Sequence, residues 1–307
     1  MAKVAIVKAH DLDDALDHGL QLLGGLEQYI SNNDRVLIKP NLCAAKPWST
    51  GTTTDPLLTE KIIERVRETT DDISLCEADH STVDAEYVFR FLGFEEVARR
   101  HDLRLINLSD RRNVVMLKNP DGYVLKELPL HKEILNADLI INLPVMKTNE
   151  VSGITLSLKN MFGTIATREK AKFHDNIHGV IADINRFVGK TLIILDARCA
   201  MQGDGPINGD VLHLDTLVFG DDMVAVDHVG AQIMGFDPAE IEHIMLSERC
   251  GVGSRKDIQL LGVPVQEVAY PFARAAGISR RNGVKYAILR NRYCVGAVRF
   301  LVKRIRR

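Results

Sequence analysis

Leu139-Ile140-Ile141-Asn142-Leu143-Pro144-Val145-Met146-Lys147-Thr148-Asn149 decides how the rest of the chain is read. Its first five residues are almost wholly apolar and are closed by a proline. That is the length of a β-strand and the composition of one covered on both faces, as strands of parallel sheets are. A Ser/Gly/Thr-rich turn then leads to Leu158-Lys159-Asn160-Met161-Phe162-Gly163, to His174, His178 and Asp183, and to a second buried strand over residues 192–195 that ends in Asp196. The loop Met201-Gln202-Gly203-Asp204-Gly205-Pro206 follows. Nowhere else does the chain pack so many chemically able side chains between structural signals.

Working outward, short apolar runs at residues 4–7, 36–38, 73–76, 104–107 and 217–220 repeat the strand pattern. Helical runs separate them. One spans residues 11–23 and is broken by Gly24-Gly25, and another starts at Asp55-Pro56, an N-cap followed by proline in the first turn. Others are expected at 81–92, 94–101, 131–137 and 223–234, with a further start at Asp237-Pro238. This alternation predicts an α/β fold with a mostly parallel, helix-covered sheet. Residues 114–117 and 123–128 flank Asn119-Pro120-Asp121-Gly122, which predicts an inserted β-hairpin near 113–128 with a tight Asp-Gly turn.

The organisation expected is one α/β domain over 1–270 and a basic C-terminal tail over 271–307. The tail holds 11 Lys or Arg and no Asp or Glu, so with a net charge of −2 for all 307 residues the first 270 carry −13. Its apolar runs fall far short of the ~20 residues a membrane span requires. It suits docking on the acidic body or a second copy, or lying on an anionic membrane surface. Nucleic acid is disfavoured by that acidic body and the lack of a recognition motif. The five cysteines form no C-x-x-C pair, which fits a reducing compartment and no intrinsic iron–sulfur cluster. Residues 1–7 read as a strand and not as a secretory signal, so the cytoplasm is the expected location.

Candidate site residues cluster at the carboxyl ends of the strands, where open α/β sheets bind ligands. Lys39 and Asn41 follow one strand, and Lys147 and Thr148 another. Two lysines so placed can hold a phosphate or carboxylate, or can equally be solvated at the sheet rim. Thr52 belongs to a hydroxyl-rich loop before the Asp55-Pro56 helix, and Gly203 and Gly205 let backbone N–H groups approach a ligand. Glu77 and Asp79, with His80, can bind a metal or act as acid and base, although Asp79 serves as well as a helix cap. His174 and His178 stand four residues apart, which puts both on one helix face, where they can chelate a divalent metal or form an ordinary polar face. Asp183 lies about 140° round such a helix from His178, so it suits a supporting contact better than a third ligand.

These residues resemble the domain of unknown function 362 family, some of whose members sit beside ferredoxin modules. The likeness is carried by Lys39-Pro40-Asn41, Asn142-Leu143-Pro144 with Lys147-Thr148, and Leu158-Lys159-Asn160. It continues through His174/His178 with Ile181-Ala182-Asp183, Asp196 with Met201, Gly203, Gly205, Pro206 and Gly209, residues 221–227, and Gly235-Phe236-Asp237-Pro238. It covers roughly residues 3–250 and implies an α/β fold with a site built from these loops. The ferredoxin-fused members' cluster motif is missing here.

The function expected is an enzyme acting on a small phosphorylated or carboxylated compound. Lys39, Asn41, Thr52, Thr148, Lys159, Asn160, Gly203 and Gly205 would bind it, and His174, His178, Lys147 and Asp183 would carry the chemistry. A divalent metal would be held by His174, His178, Glu77, Asp79 and Asp196. A non-catalytic partner of a ferredoxin or other redox protein is the alternative, and a peripheral membrane-associated protein anchored by residues 281–307 a third.

Overall fold

The computed structural model describes residues 1–80 and 83–276. In chain order its strands are β1 (Lys3–Lys8), β2 (Val36–Pro40), β3 (Ile73–Glu77), β4 (Arg104–Asn107), β5 (Val114–Lys118), β6 (Glu127–His131), β7 (Leu139–Leu143), β8 (Val145–Asn149), β9 (Gly153–Thr155), β10 (Thr191–Gln202), β11 (Asp210–His213), β12 (Thr216–Gly220) and β13 (Gln259–Gly262). The α-helices are α1 (Leu12–Leu23), α2 (Pro56–Arg67), α3 (Ala85–Phe91), α4 (Phe94–Arg100), α5 (Lys132–Asn136), α6 (Ser157–Met161), α7 (Ile177–Asn185), α8 (Met223–Ile233), α9 (Glu242–Arg249) and α10 (Val265–Val268). The main sheet runs β13-β1-β12-β10-β7-β2-β3-β4; off this path β11 and β8 pair with the later part of β10, and β9 pairs with β8. From β10 to β4 every pairing on this path is parallel, while β12 runs antiparallel to both neighbours.

The mostly parallel, helix-covered sheet inferred from the sequence is therefore the one observed. Successive strand residues point to opposite faces, so wholly apolar strands feed two cores. Val36, Ile38, Leu139, Ile141, Leu192 and Ile194 join the cluster beneath α1, α2, α3 and α4. Leu37, Ile140, Ile193 and Val218 join the cluster beneath α6, α7, α8 and α9. By the same alternation Lys39 falls on the second face, in register with Asn142 of β7. A lysine there must find polar company inside the protein.

Helix ends follow their capping residues. Asp11 accepts the Asp14 N–H and Gly24, at φ 104°, closes α1 in the left-handed region that suits glycine. Asp55 caps α2 ahead of Pro56. Residues 270–276 lie against the body, with the Tyr270 and Phe272 N–H groups donating to the end of α8 and Ala273 exchanging bonds with Gly203 and Gln202. The rest of the expected tail, from 277, and the helix start expected at Ser81 fall outside the described residues. No helix among the described residues is long and apolar enough to cross a membrane.

The hairpin is present, but its second strand starts at Glu127, four residues later than expected, and residues 119–126 form a broad loop. The cause is Asp183. Its buried carboxylate accepts the N–H groups of Tyr123, Val124 and Leu125 at 2.7–2.8 Å, which removes those donors from any ladder. Helix α7 and the hairpin loop are thereby joined through one side chain. Asp183→Ala should cost about 3 kcal/mol or more, because three backbone donors lose a charged acceptor, and Asp183→Asn should cost less. Urea unfolding of the two variants checks this, with proteolysis at the hairpin loop rising in the same order.

Candidate functional site

Lys39 is fully buried on β2, and its ammonium lies 3.0 Å from Glu77 at the end of neighbouring β3. It also donates to the Pro40 carbonyl and to Asn160 Oδ1. Glu77 takes the Leu42 and Ala78 N–H groups besides, so the pair is bonded on both sides. Asn160 hands the network on to Asn142 at 2.8 Å. Gly163 is what lets the chain pass over this pair. A Cβ there would stand 2.9 Å from a Glu77 oxygen and 3.0 Å from the Lys39 nitrogen.

Three more amines surround the same cavity, whose volume is about 330 Å³. Lys147 of β8 is fully buried and donates to Asn41 Oδ1 and the Thr52 carbonyl, with Cys43 Sγ at 3.5 Å. Burial lowers its pKa. Lys170 donates to the Gly163 carbonyl at 2.8 Å. Lys159 of α6 rests 4.3 Å above the Phe162 ring. Burial, reinforced by neighbouring lysine charges, brings both Lys159 and Lys170 down to about 8. His80, His174, Asn149, Glu150 and Thr155 add to the polar wall, and burial followed by the charges of Lys170 and Lys159 holds His80 at about 4. An amine-rich cavity with His80 largely neutral can hold an anion and accept a proton from it.

Helix α6, which presents Lys159 and Asn160, has only five residues and needs outside support. Asp227 of α8 supplies it, accepting the Ser157 and Leu158 N–H groups and the Ser157 hydroxyl. Burial pushes this carboxyl up to about 7 despite those bonds.

A protein-family model described as a domain of unknown function (DUF362) matches residues 36–232. The chain belongs to this family. The matched span runs from β2 into α8 and contains all four cavity lysines. A thylakoid-associated protein of Synechocystis sp. is 27% identical over 240 residues, covering 76% of this chain and 73% of that one. Among solved structures, the lactate racemase apoprotein of Thermoanaerobacterium thermosaccharolyticum aligns with a TM-score of 0.41 at 12% identity, over 76% of this chain and 56% of its own. A Thermotoga maritima protein aligns with a TM-score of 0.38 at 12% identity, over 77% and 59%. The chain thus spans a little over half the length of these two.

Of the residues expected at the site, this DUF362 chain brings Lys39, Asn41, Glu77, Lys147, Lys159, Asn160 and His174 to one cavity. Others stand elsewhere. Thr52 contributes its carbonyl to Lys147, and Thr148 bonds the Gly203 carbonyl. Gly205 packs against the Thr148 carbonyl, and the loop after it reaches the wall with Pro206 and Ile207. Asp79 pairs with Arg168 at 2.6 Å and accepts the Ala85 N–H, the capping role the sequence allowed. Asp196 lies 2.8 Å from Arg198, which also binds Asp55. Asp183 holds the hairpin loop.

The two histidines expected to chelate together are separated. His174 lies in a 3-10 turn over Lys170–Asn176, α7 begins only at Ile177, and Asn176 between them has a non-helical backbone. His178 instead stacks on buried His243, their Nδ1 atoms 3.2 Å apart. The five residues expected as metal ligands are therefore not gathered, and no group of three His, Cys, Asp or Glu side chains among the described residues is placed to hold a metal ion. Sequence reading passed over Lys170, Cys43 and Phe162. Lys170 stands in a charged run, 168–172, that looks like solvated surface, and only tertiary folding turns it inward.

The buried pair gives the clearest stability test. Lys39→Met should destabilise by about 3 kcal/mol or more, since it strands a buried carboxylate. Adding Glu77→Gln to that variant should recover part of the loss. Denaturant unfolding of the single and double variants reads the coupling directly.

Proposed function

We propose that this chain is an enzyme acting on a small carboxylated or phosphorylated compound held in the lysine cavity. One observation carries the reading: four lysines line one cavity, and among the described residues only Lys39 is ion-paired there, to Glu77. Lys147, Lys159 and Lys170 supply the charge that an anion would neutralise. His80 and His174 are the proton-moving groups. His178 and Asp183, expected as catalytic, have structural work in the α7 contacts instead. A cavity of about 330 Å³ suits a small compound.

Inorganic phosphate and acetate are suitable probes. Both should raise the thermal midpoint of the wild type, and Lys170→Gln should weaken binding at least about tenfold, the order expected for losing one charge-assisted hydrogen bond. Anion binding favours the protonated amines, so affinity should fall as pH rises through about 8, where Lys159 and Lys170 lose their protons. Isothermal titration across that range checks the sign. Affinity that is flat or rises with pH would remove the lysines from anion binding.

The name of the Synechocystis relative favours a second reading, association with a membrane surface. It adds to the first, because the basic residues from 281 on are separate from the cavity in sequence. Full-length protein should sediment with vesicles containing anionic lipid and lose most of that binding in high salt or after deletion of residues 281–307.

A further inference from the structure

Lys159 differs from the other three cavity lysines. Lys39 has Glu77, Lys147 has Asn41 and the Thr52 carbonyl, and Lys170 has the Gly163 carbonyl. Among the described residues Lys159 makes no hydrogen bond and no ion pair; its ammonium faces the Phe162 ring, and Val151 and Ile177 line the same cavity. A half-buried amine without an acceptor, set over an aromatic ring and beside other cations, is the arrangement that makes lysine a nucleophile. At a pKa of about 8, against 10.5 for an ordinary lysine, it holds on the order of a hundredfold more neutral amine than a surface lysine near neutral pH.

We propose that Lys159 forms an imine with the carbonyl of a small 2-oxo acid whose carboxylate is held by the neighbouring lysines. This rests on the cavity being an anion site, and it names the substrate class. A 2-oxo acid is the compact form of such a ligand, since its carboxylate adjoins its carbonyl and both fall among clustered amines. The Nζ lone pair attacks the carbonyl carbon, and the C–O π electrons move to oxygen, which takes a proton. The resulting carbinolamine loses that oxygen as water while nitrogen forms the C=N bond, the two amine hydrogens leaving with it. Amine plus carbonyl gives imine plus one water, so no oxidant or reductant enters. The imine makes the adjacent carbon more acidic, and His80 or His174 can take that proton.

The test uses the full chain, with pyruvate and 2-oxoglutarate as a short and a long 2-oxo acid, sodium cyanoborohydride to trap the imine, and peptide mass spectrometry to locate the adduct. Lys159 should be labelled at least about tenfold faster than any surface lysine, and phosphate should slow that labelling. Lys159→Arg should abolish the adduct while keeping the native thermal midpoint measured without ligand, which separates loss of the nucleophile from loss of the fold. Phosphate binding in the wild type with no preference for Lys159 would overturn the imine and leave the anion site standing. Absence of both phosphate binding and labelling would overturn both.

Discussion

The Lys39–Glu77 ion pair is the constraint on which the site depends. Taking a lysine and a glutamate out of water is unfavourable unless each remaining donor and acceptor is met. Here the surrounding structure meets them. The Leu42 and Ala78 N–H groups fix Glu77, the Pro40 carbonyl and Asn160 fix Lys39, and Asn160 ties on to Asn142. Because Lys39 belongs to β2, Glu77 to β3 and Asn142 to β7, the pair locks the loops after three adjacent strands to one another. It also dictates Gly163, since any Cβ there would press into both charges.

The amines added around this pair make the cavity what it is. Each would ordinarily seek water, and each is held inward by a different element: Lys147 by β8, Lys159 by α6, Lys170 by the turn before α7. Lys147, Lys159 and Lys170 respond by giving up protons more readily than free lysines do. The position follows from topology, because the carboxyl ends of neighbouring parallel strands leave an opening that loops must fill. The DUF362 match spans the elements that fill it.

Much of this was legible in the sequence, for definite reasons. Uniformly apolar runs such as residues 139–143 announce strands covered on both faces, and Lys39 and Lys147, coming soon after such runs, fall toward the carboxyl end of the sheet, Lys147 within the further strand β8. What stayed hidden depended on contacts distant in sequence. Asp183 looks like a site carboxylate until it is seen collecting three N–H groups from residues 123–125. Asp196 looks like a strand-end ligand, yet β10 continues to Gln202 and Arg198 turns back to bind it. The His174/His178 spacing promises one helical face only if the helix is continuous, and it is not. Lys170 carries no local mark of burial at all.

Two of the cavity amines also make stability depend on pH. Lys159 and Lys170 have folded pKa values near 8, below the 10.5 of an ordinary lysine. Between those values the unfolded chain holds more protons than the folded one, so their effect is to make stability rise with pH across that interval. Below about 8 they are charged in both states and the full burden of burying them remains. The anion proposed for the cavity would relieve that burden where it is greatest, by giving the charges a partner. The frame around the cavity does not depend on those charges: it is held by the apolar cores on both faces of the sheet and by the backbone N–H groups bonded to Asp183 and Asp227.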